Sequence, residues 1–520
     1  MPIFHSYQIT PFGVTSRPLE NSQLVGSRIV IQQADRQVDE MFEEMWTTLG
    51  RPSVMLVDLR PVSPPMLLVT SHSIAEQISR PSQQLPFSTP KSSTWTHMIP
   101  IIGKTSILGK EGQEWKDLRK KYNPGFMPQH LLSLMPLILA KMEPFWNHLN
   151  RSAAANAEFS LEELIANLTF DVIGVTVLEV QLNAQHLNPS EQDQLVHLFR
   201  PLLQTYKDDK NNFPWWMVPL TTFKRHRLAK KIDVLVKDKI KHKYSDLKNE
   251  AEENGSKSIL ALSLRDTEAL TPQLLSEMSD QVRTFLFAGY DTTSSMLQWL
   301  LYELSRTPRA LKAVRDELDE VLGPQTDPER ICASLLENGH QLMTRMHYIN
   351  AAIKETLRLY PPASTARMTG PRSGFTISTA AGEDYNVDGL VMYSCQKIIH
   401  RDPAVFGDTA DDWEPERWLG DAAKSIPAGA WRPFERGPRA CIGTELANLE
   451  ARLIVAIVAR KYDFIKTGLG ASALDKEGQP MLDEKGQYQV KSKLYNTRRM
   501  TAQPVDGTMM KVKAVVWPKD

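Results

Sequence analysis

The stretch from Thr271 to Arg306 limits what this chain can fold into more than any other. Thr271-Pro272 supplies an N-cap and a first-turn proline, and the next proline is Pro308. A helix of about 35 residues at 1.5 Å per residue is about 50 Å long, enough to cross a whole domain. Everything else has to pack around such a rod. Its centre disagrees with its flanks: the apolar run Phe285 to Gly289 leads into Asp291, Thr292, Thr293, Ser294 and Ser295, all weak helix formers. A carboxylate and hydroxyls inside a largely apolar helix are costly unless they are partnered or used. From these residues alone the segment reads either as two helices meeting at Asp291 or as one helix with a working polar centre.

A chain of 520 residues exceeds the usual single core, yet no long Gly/Ser or Pro-rich run divides it. Residues 1–41 read as a polar N-terminal segment without a membrane anchor, and 42–520 as one domain. Lys+Arg and Asp+Glu balance at 61 each, which removes the electrostatic argument for nucleic acid as a partner. The cysteines Cys332, Cys395 and Cys441 are too few, and odd in number, for a disulfide framework. Neither CxxC nor HExxH occurs, and Gly103-Lys104-Thr105 lacks the upstream glycine of a phosphate loop because Met98 stands there. There is no apolar run of about 18 residues to span a membrane, and Met1 opens no secretory signal. Between two prolines, the Phe213–Leu220 stretch carries Trp215, Trp216 and Met217, with Lys224, Arg225, Arg227, Lys230 and Lys231 after it. Aromatic residues beside basic ones suit either a membrane interface or a packed helix connection.

Other elements follow from local pattern. Ser53 to Pro61 and Pro64 to Ser71 read as a pair of strands, and the segment after Pro504 as another. Glu111 to Tyr122 reads as a helix with Trp115 and Arg119 one turn apart, and Met346 to Tyr360 as one with Glu355 and Arg358 on a shared face. Cys441 sits where a segment broken by Pro433, Gly437 and Pro438 enters a helix marked by Leu446, Leu449, Leu453 and Ile457. Free N–H groups and the positive dipole end favour a thiolate at such a place, and Arg436 and Arg439 add charge. Taken alone, the residue would read as a buried structural cysteine.

Its surroundings say more. Phe434, Gly437, Arg439, Cys441 and Gly443 fit F-x-x-G-x-R-x-C-x-G, which resembles the haem-binding signature of the cytochrome P-450 (haem-thiolate) monooxygenases. Three further stretches resemble the same family in the same order: Trp115 with Arg119, AGYDTT at 288–293, and Glu355 with Arg358 ahead of PPASTAR and Pro415-Glu416-Arg417-Trp418. The resemblance implies a mainly α (α+β) fold, with a large helical domain and a small β-rich N-terminal subdomain. Haem b (iron protoporphyrin IX) would lie between the long helix and the Cys441 loop. Cys441 would be the axial thiolate, pushing electron density toward O–O cleavage. Gly437 would permit a tight turn, and Gly443 close packing of helix on porphyrin beside Phe434. Trp115, Arg119, Arg367 and Arg439 would serve the haem propionates. Ala288 and Gly289 would let the helix open beside bound oxygen, while Asp291 and Thr292 deliver protons. Glu355, Arg358 and Arg417 would form a buried triad that locks the cysteine loop, with Trp418 where the family usually has Phe.

The implied reaction inserts one atom of O2 into an apolar small molecule and releases the other as water. Electrons would come from NADPH through a flavoprotein reductase docked on the basic side of the 111–122 helix, at Lys116, Lys120 and Lys121. The expected location is the cytoplasmic face of the endoplasmic reticulum, with peripheral membrane contact. In style the sequence resembles fungal members that tailor secondary metabolites. Two other readings stay open: a haem-thiolate isomerase or dehydratase, for which Thr292 has no use, and a haem-binding protein without turnover.

Overall fold

The computed structural model describes residues 9–10, 37–58, 65–206, 216–249, 256–497 and 500–515. Most of the 1–41 segment lies outside these residues, as do Phe213, Pro214 and Trp215 of the apolar tip.

Pro272–Arg306 is one continuous helix of 35 residues, which settles the first ambiguity of the sequence. Thr271 Oγ1 accepts from the backbone N–H of Leu274 at 3.2 Å, and Pro272 stands in the first turn. At the other end Thr307 leaves helical geometry and Pro308 starts the helix Pro308–Leu322. Helix Leu161–Leu178 crosses the rod, apolar almost all round and therefore buried on nearly every side. Gly289 marks the crossing, since a Cβ there would come within 2.6 Å of Ile173. Helices Gly112–Tyr122, His347–Leu359 and Thr444–Val458 complete the frame around the site.

Val54–Val57 and Met66–Val69 pair antiparallel, and three of the four residues in each strand are buried because both faces of the sheet are covered. Met66–Val69 then pairs in parallel with Val391–Ser394, whose other edge holds Thr365–Met368 antiparallel. Ile9–Thr10 adds the outer strand beside Val54–Val57. The small sheet is thus completed by strands from far along the chain and is N-terminal only in part. Phe42, Met45 and Trp46 of helix Val38–Thr48 cover one face, while Ile74 and Ile78 of helix His72–Ser79 cover the other. Near the C-terminus Met509–Ala514 pairs with Tyr462–Lys466.

Candidate active site

The cysteine loop is tied down from several directions. The backbone N–H of Cys441 donates to the carbonyl of Phe434 at 2.8 Å, and Thr444 Oγ1 donates to the carbonyl of Cys441 at 3.0 Å as the helix begins. Gly437 has φ 74°, and a Cβ there would meet the carbonyl oxygen of Ser79 at 2.2 Å. Only glycine satisfies both demands. Arg432, fully buried, donates to Ser79 Oγ at 2.8 Å, to the carbonyl of Ala75 at 3.1 Å and to Glu435. Arg436 pairs with Glu76 of the same helix.

Behind the loop stands the expected triad. Arg358 grips both oxygens of Glu355, each at 2.8 Å, and Arg417 Nε lies 3.4 Å from Glu355 Oε1. Two donors that the sequence pattern does not announce finish the carboxylate: the backbone N–H of Glu414 at 3.0 Å and the indole N–H of Trp418 at 2.8 Å. Five donors on a carboxylate with no exposed surface offset its desolvation, which an isolated buried pair would not. His400 connects this cluster to the loop. Its Nδ1 donates to the carbonyl of Arg358 at 3.1 Å and its Nε2 accepts from the backbone N–H of Arg432 at 3.0 Å. Burial, helped by the nearby Arg358, lowers its pKa to about 3, so the ring is neutral, as the acceptor role demands.

Cys441 opens into a cavity of about 310 Å3 whose far wall is the long helix. Ala288, Gly289, Thr292, Thr293 and Met296 line it, one helical face by their spacing. Phe126, Ile173, Phe285 and Phe434 make its sides apolar, and Gly443 borders it beside the sulfur, which a Cβ there would approach to 3.9 Å. Dense protein around the cavity pushes the Cys441 thiol above its ordinary pKa, against the Gly443 N–H, Arg119, Lys91 and Thr444, which favour the thiolate. The helix start acts in the expected direction, but desolvation by the surrounding protein outweighs it even though the sulfur is open to the cavity.

Cations gather along one rim. Arg439 donates to the carbonyls of Lys110 at 2.6 Å and Leu108 at 3.1 Å and lies over the Trp115 ring at 4.8 Å. Arg119 donates to the carbonyl of Ala440 at 2.8 Å, clasping the cysteine loop. Arg439 and Lys91 line the cavity, whereas Trp115, Arg119 and Arg367 are not among its lining residues. Lys91, which sequence reasoning passed over, is held by Thr365 Oγ1 at 2.6 Å; burial first, then Arg367, bring its pKa down to about 7. Arg367, with no exposed surface, donates to the carbonyl of Thr89, leaving Nε and Nη2 without partners. Buried guanidinium donors in that state call for an anion. Unsatisfied donors, a cation-rich rim, an apolar cleft and one thiol fit a flat apolar macrocycle with carboxylate arms and a thiolate-ligated iron.

Asp291 and Thr292 do not face the same way. Thr292 points to the cavity and its Oγ1 donates to the carbonyl of Ala288 at 2.7 Å, one turn back. Asp291 borders a second, more polar cavity of about 360 Å3 on the other side of the helix, together with Glu162, Glu163 and Arg200. Its carboxylate accepts from Thr501 Oγ1 at 2.5 Å and Gln503 Nε2 at 2.6 Å. Ser295 donates to the carbonyl of Ala502, and Gln298 Oε1 accepts from Thr508 at 2.8 Å. The polar face of the rod is therefore partnered by the C-terminal segment, a pairing across more than two hundred residues that no local pattern signals. Ala288 is exposed to the cavity, while the missing side chain of Gly289 admits Ile173; the helix between them stays closed.

The sequence model of the family described as Cytochrome P450 matches residues 19–490. Among curated proteins, the chain is similar to Cytochrome P450 monooxygenase acrF of Aspergillus aculeatus, 31% identical over 78% of this chain and 83% of that one. It is also similar to Cytochrome P450 monooxygenase polC of Polytolypa hystricis, 30% identical over 79% of this chain and 73% of the relative. Human Cytochrome P450 4V2 is 24% identical over 91% of this chain and 88% of its own length. A match of that extent around a cysteine loop so built makes this chain a member of the cytochrome P450 family, a haem monooxygenase served by a redox partner.

Proposed function

We propose that substrate oxidation takes place in the cavity between Cys441 and the long helix, and that its substrate is an apolar small molecule. The observation that carries this reading is that Cys441 and Thr292 share one cavity with an apolar lining. Haem b bound there supplies the iron at which O2 is reduced and its bond is broken. Cys441 is the iron ligand in this reading. Lys91, Arg119, Arg367 and Arg439 neutralise the propionates, and Trp115 keeps Arg439 in place. Phe126, Phe285 and Met296 keep bulk water out and orient the substrate. Thr292 Oγ1 is the last protein atom on the proton path and Asp291 the acid behind it. The pair favours monooxygenation over isomerisation or dehydration, which need no protons delivered at this point.

NADPH, through a flavoprotein reductase, is the proposed electron source. Lys116 and Lys120 are exposed on helix Gly112–Tyr122, the helix whose Arg119 grips the cysteine loop. That gives an acidic partner a short route to the sulfur. No described helix is long and apolar enough to cross a membrane. Peripheral attachment at the cytoplasmic face of the endoplasmic reticulum is supported by Trp216, Leu220 and Phe223, which are 64%, 83% and 68% exposed beside the exposed Lys224 and Arg227. Arg225 turns inward, donating to the carbonyl of Thr205 and lying over Tyr206. The fungal relatives support a role in secondary metabolism.

Reduced protein under carbon monoxide tests the assignment. The long-wavelength band of thiolate ligation is expected in the parent, in Cys332→Ala and in Cys395→Ala, and is expected to vanish in Cys441→Ala. Its persistence in Cys441→Ala would overturn the reading. Screening apolar metabolites for a shift of the haem absorption then identifies the substrate.

A further inference from the structure

We infer that Thr501 and Gln503 are positioning residues for proton delivery, which hold Asp291 toward the outer cavity and away from Thr292 until it is needed. The inference rests on the proposed roles of Asp291 and Thr292 and extends them to the C-terminal segment.

Asp291 is 9% exposed, and that exposure faces the cavity it shares with Glu162, Glu163, Arg200, Tyr206 and Tyr290. Glu163, on the rim, is exposed to solvent, so protons reach this cavity from outside. Thr292, one residue on, turns about 100° around the helix to the opposite cavity. In this arrangement Asp291 loads on one side and must be released before it serves the other. Its hold is strong in kind: a hydroxyl at 2.5 Å and an amide at 2.6 Å, both to an ionisable carboxyl, both from residues about 5% exposed. Gln503 Nε2 also lies 3.3 Å from Thr501 Oγ1, so the two donors brace one another.

The clamp itself is fixed to the frame. Ser295, one turn further along the helix, holds the carbonyl of Ala502, whose N–H donates to the carbonyl of Pro362 at 2.9 Å. Pro362 follows the helix of Glu355 and Arg358 and lines the haem-side cavity. One short segment therefore touches the acid, the rod and the wall of the reaction cavity.

The test uses the haem-loaded enzyme, a reductase and the compound giving the largest absorption shift in the screen, with Thr501→Val, Thr501→Ser, Asp291→Asn and Thr292→Ala. Valine keeps the shape of threonine and removes the donor, whereas serine keeps the donor. Product formed per electron pair is expected to fall about tenfold or more in Thr501→Val, the excess appearing as hydrogen peroxide, a charge-assisted hydrogen bond being worth about that factor. Thr501→Ser is expected to behave as the parent. A readout independent of turnover is the thermal double-mutant cycle of Thr501→Val with Asp291→Asn, expected to be non-additive. Parent-like coupling in Thr501→Val while Thr292→Ala uncouples would overturn the positioning role alone. An additive cycle would overturn the contact on which it rests. Parent-like coupling in Thr292→Ala would bring down the underlying reading of the site.

Discussion

Replacing Trp418 by Phe probes the one donor on Glu355 that distinguishes this triad from the family's usual form. Phe fits the backbone and the aromatic neighbourhood, so the variant is expected to fold. It loses the indole N–H that reaches Glu355 Oε2 at 2.8 Å, leaving that oxygen with Arg358 Nε alone. A hydrogen bond to a charged group contributes about 1.5–3 kcal/mol, and the half-exposed position of Trp418 places it at the lower end, about 2 kcal/mol. At about 2.1 cal/mol/K per residue, unfolding a chain of 520 residues carries an entropy near 1.1 kcal/mol/K, so the midpoint should fall by about 2 °C. Trp431→Phe controls for the lost ring. It removes a comparable area and one neutral bond, to the carbonyl of Lys354 at 3.0 Å, and touches no buried charge. Unfolding midpoints of the carbon monoxide-bound enzyme, followed by loss of the thiolate band, give both numbers. The charge argument is refuted if Trp418→Phe matches the parent or if Trp431→Phe is the more damaging.

Gly437→Ala combines a left-handed backbone with a Cβ 2.2 Å from the Ser79 carbonyl, so haem loading should fail while far-ultraviolet helicity is kept; a full thiolate band would contradict this. Thr292→Ala should bind haem normally and divert electrons to peroxide, with product falling about 10²-fold or more. Thr293→Ala should do much less, and equal effects would remove the distinction. His400 has a folded pKa of about 3 against 6.5 unfolded, so between those values the unfolded chain holds a proton that the folded one lacks. Stability should therefore fall as pH drops below 6.5, by about 1.4 kcal/mol per pH unit from this residue. His400→Gln should flatten the slope in denaturant titrations at pH 6.5 and 5.5. Trp216→Ser with Leu220→Ser should reduce co-sedimentation with anionic liposomes, and a parent that does not sediment would end that proposal.

What could be read from the sequence was local. The long helix is announced by its cap and proline, the cysteine loop by prolines and glycines around one thiol, and the Glu355–Arg358 pair by a spacing of three on a helix. Each signal lies within about ten residues. The rest depends on neighbours that only the folded chain brings together. Lys91 sits in an irregular stretch where nothing marks it as part of the cavity wall. Thr501 and Gln503 lie in a polar segment that resembles any surface turn until the rod's carboxylate is placed against it. Arg436 sits inside the recognised loop and Arg432 just ahead of it, but their partners Ala75, Ser79 and Glu76 are on a helix hundreds of residues earlier. The polar centre of the long helix showed both sides of this: its cost was legible, and its partner was not.

The parallel strand pair has a consequence for how the chain comes into being. Met66–Val69 leaves the ribosome early, and Val391–Ser394 emerges only after most of the chain. At about 5–20 residues per second the first strand waits tens of seconds for its mate. Meanwhile it has only Val54–Val57 alongside, and its open edge is a template for any extended segment that passes. The cysteine loop and the clamp on Asp291 follow later still. The cofactor's cradle is thus built only after the sheet is closed, and a ribosome that stalls before residue 391 leaves a nascent chain with an open strand edge and nothing to pair with it.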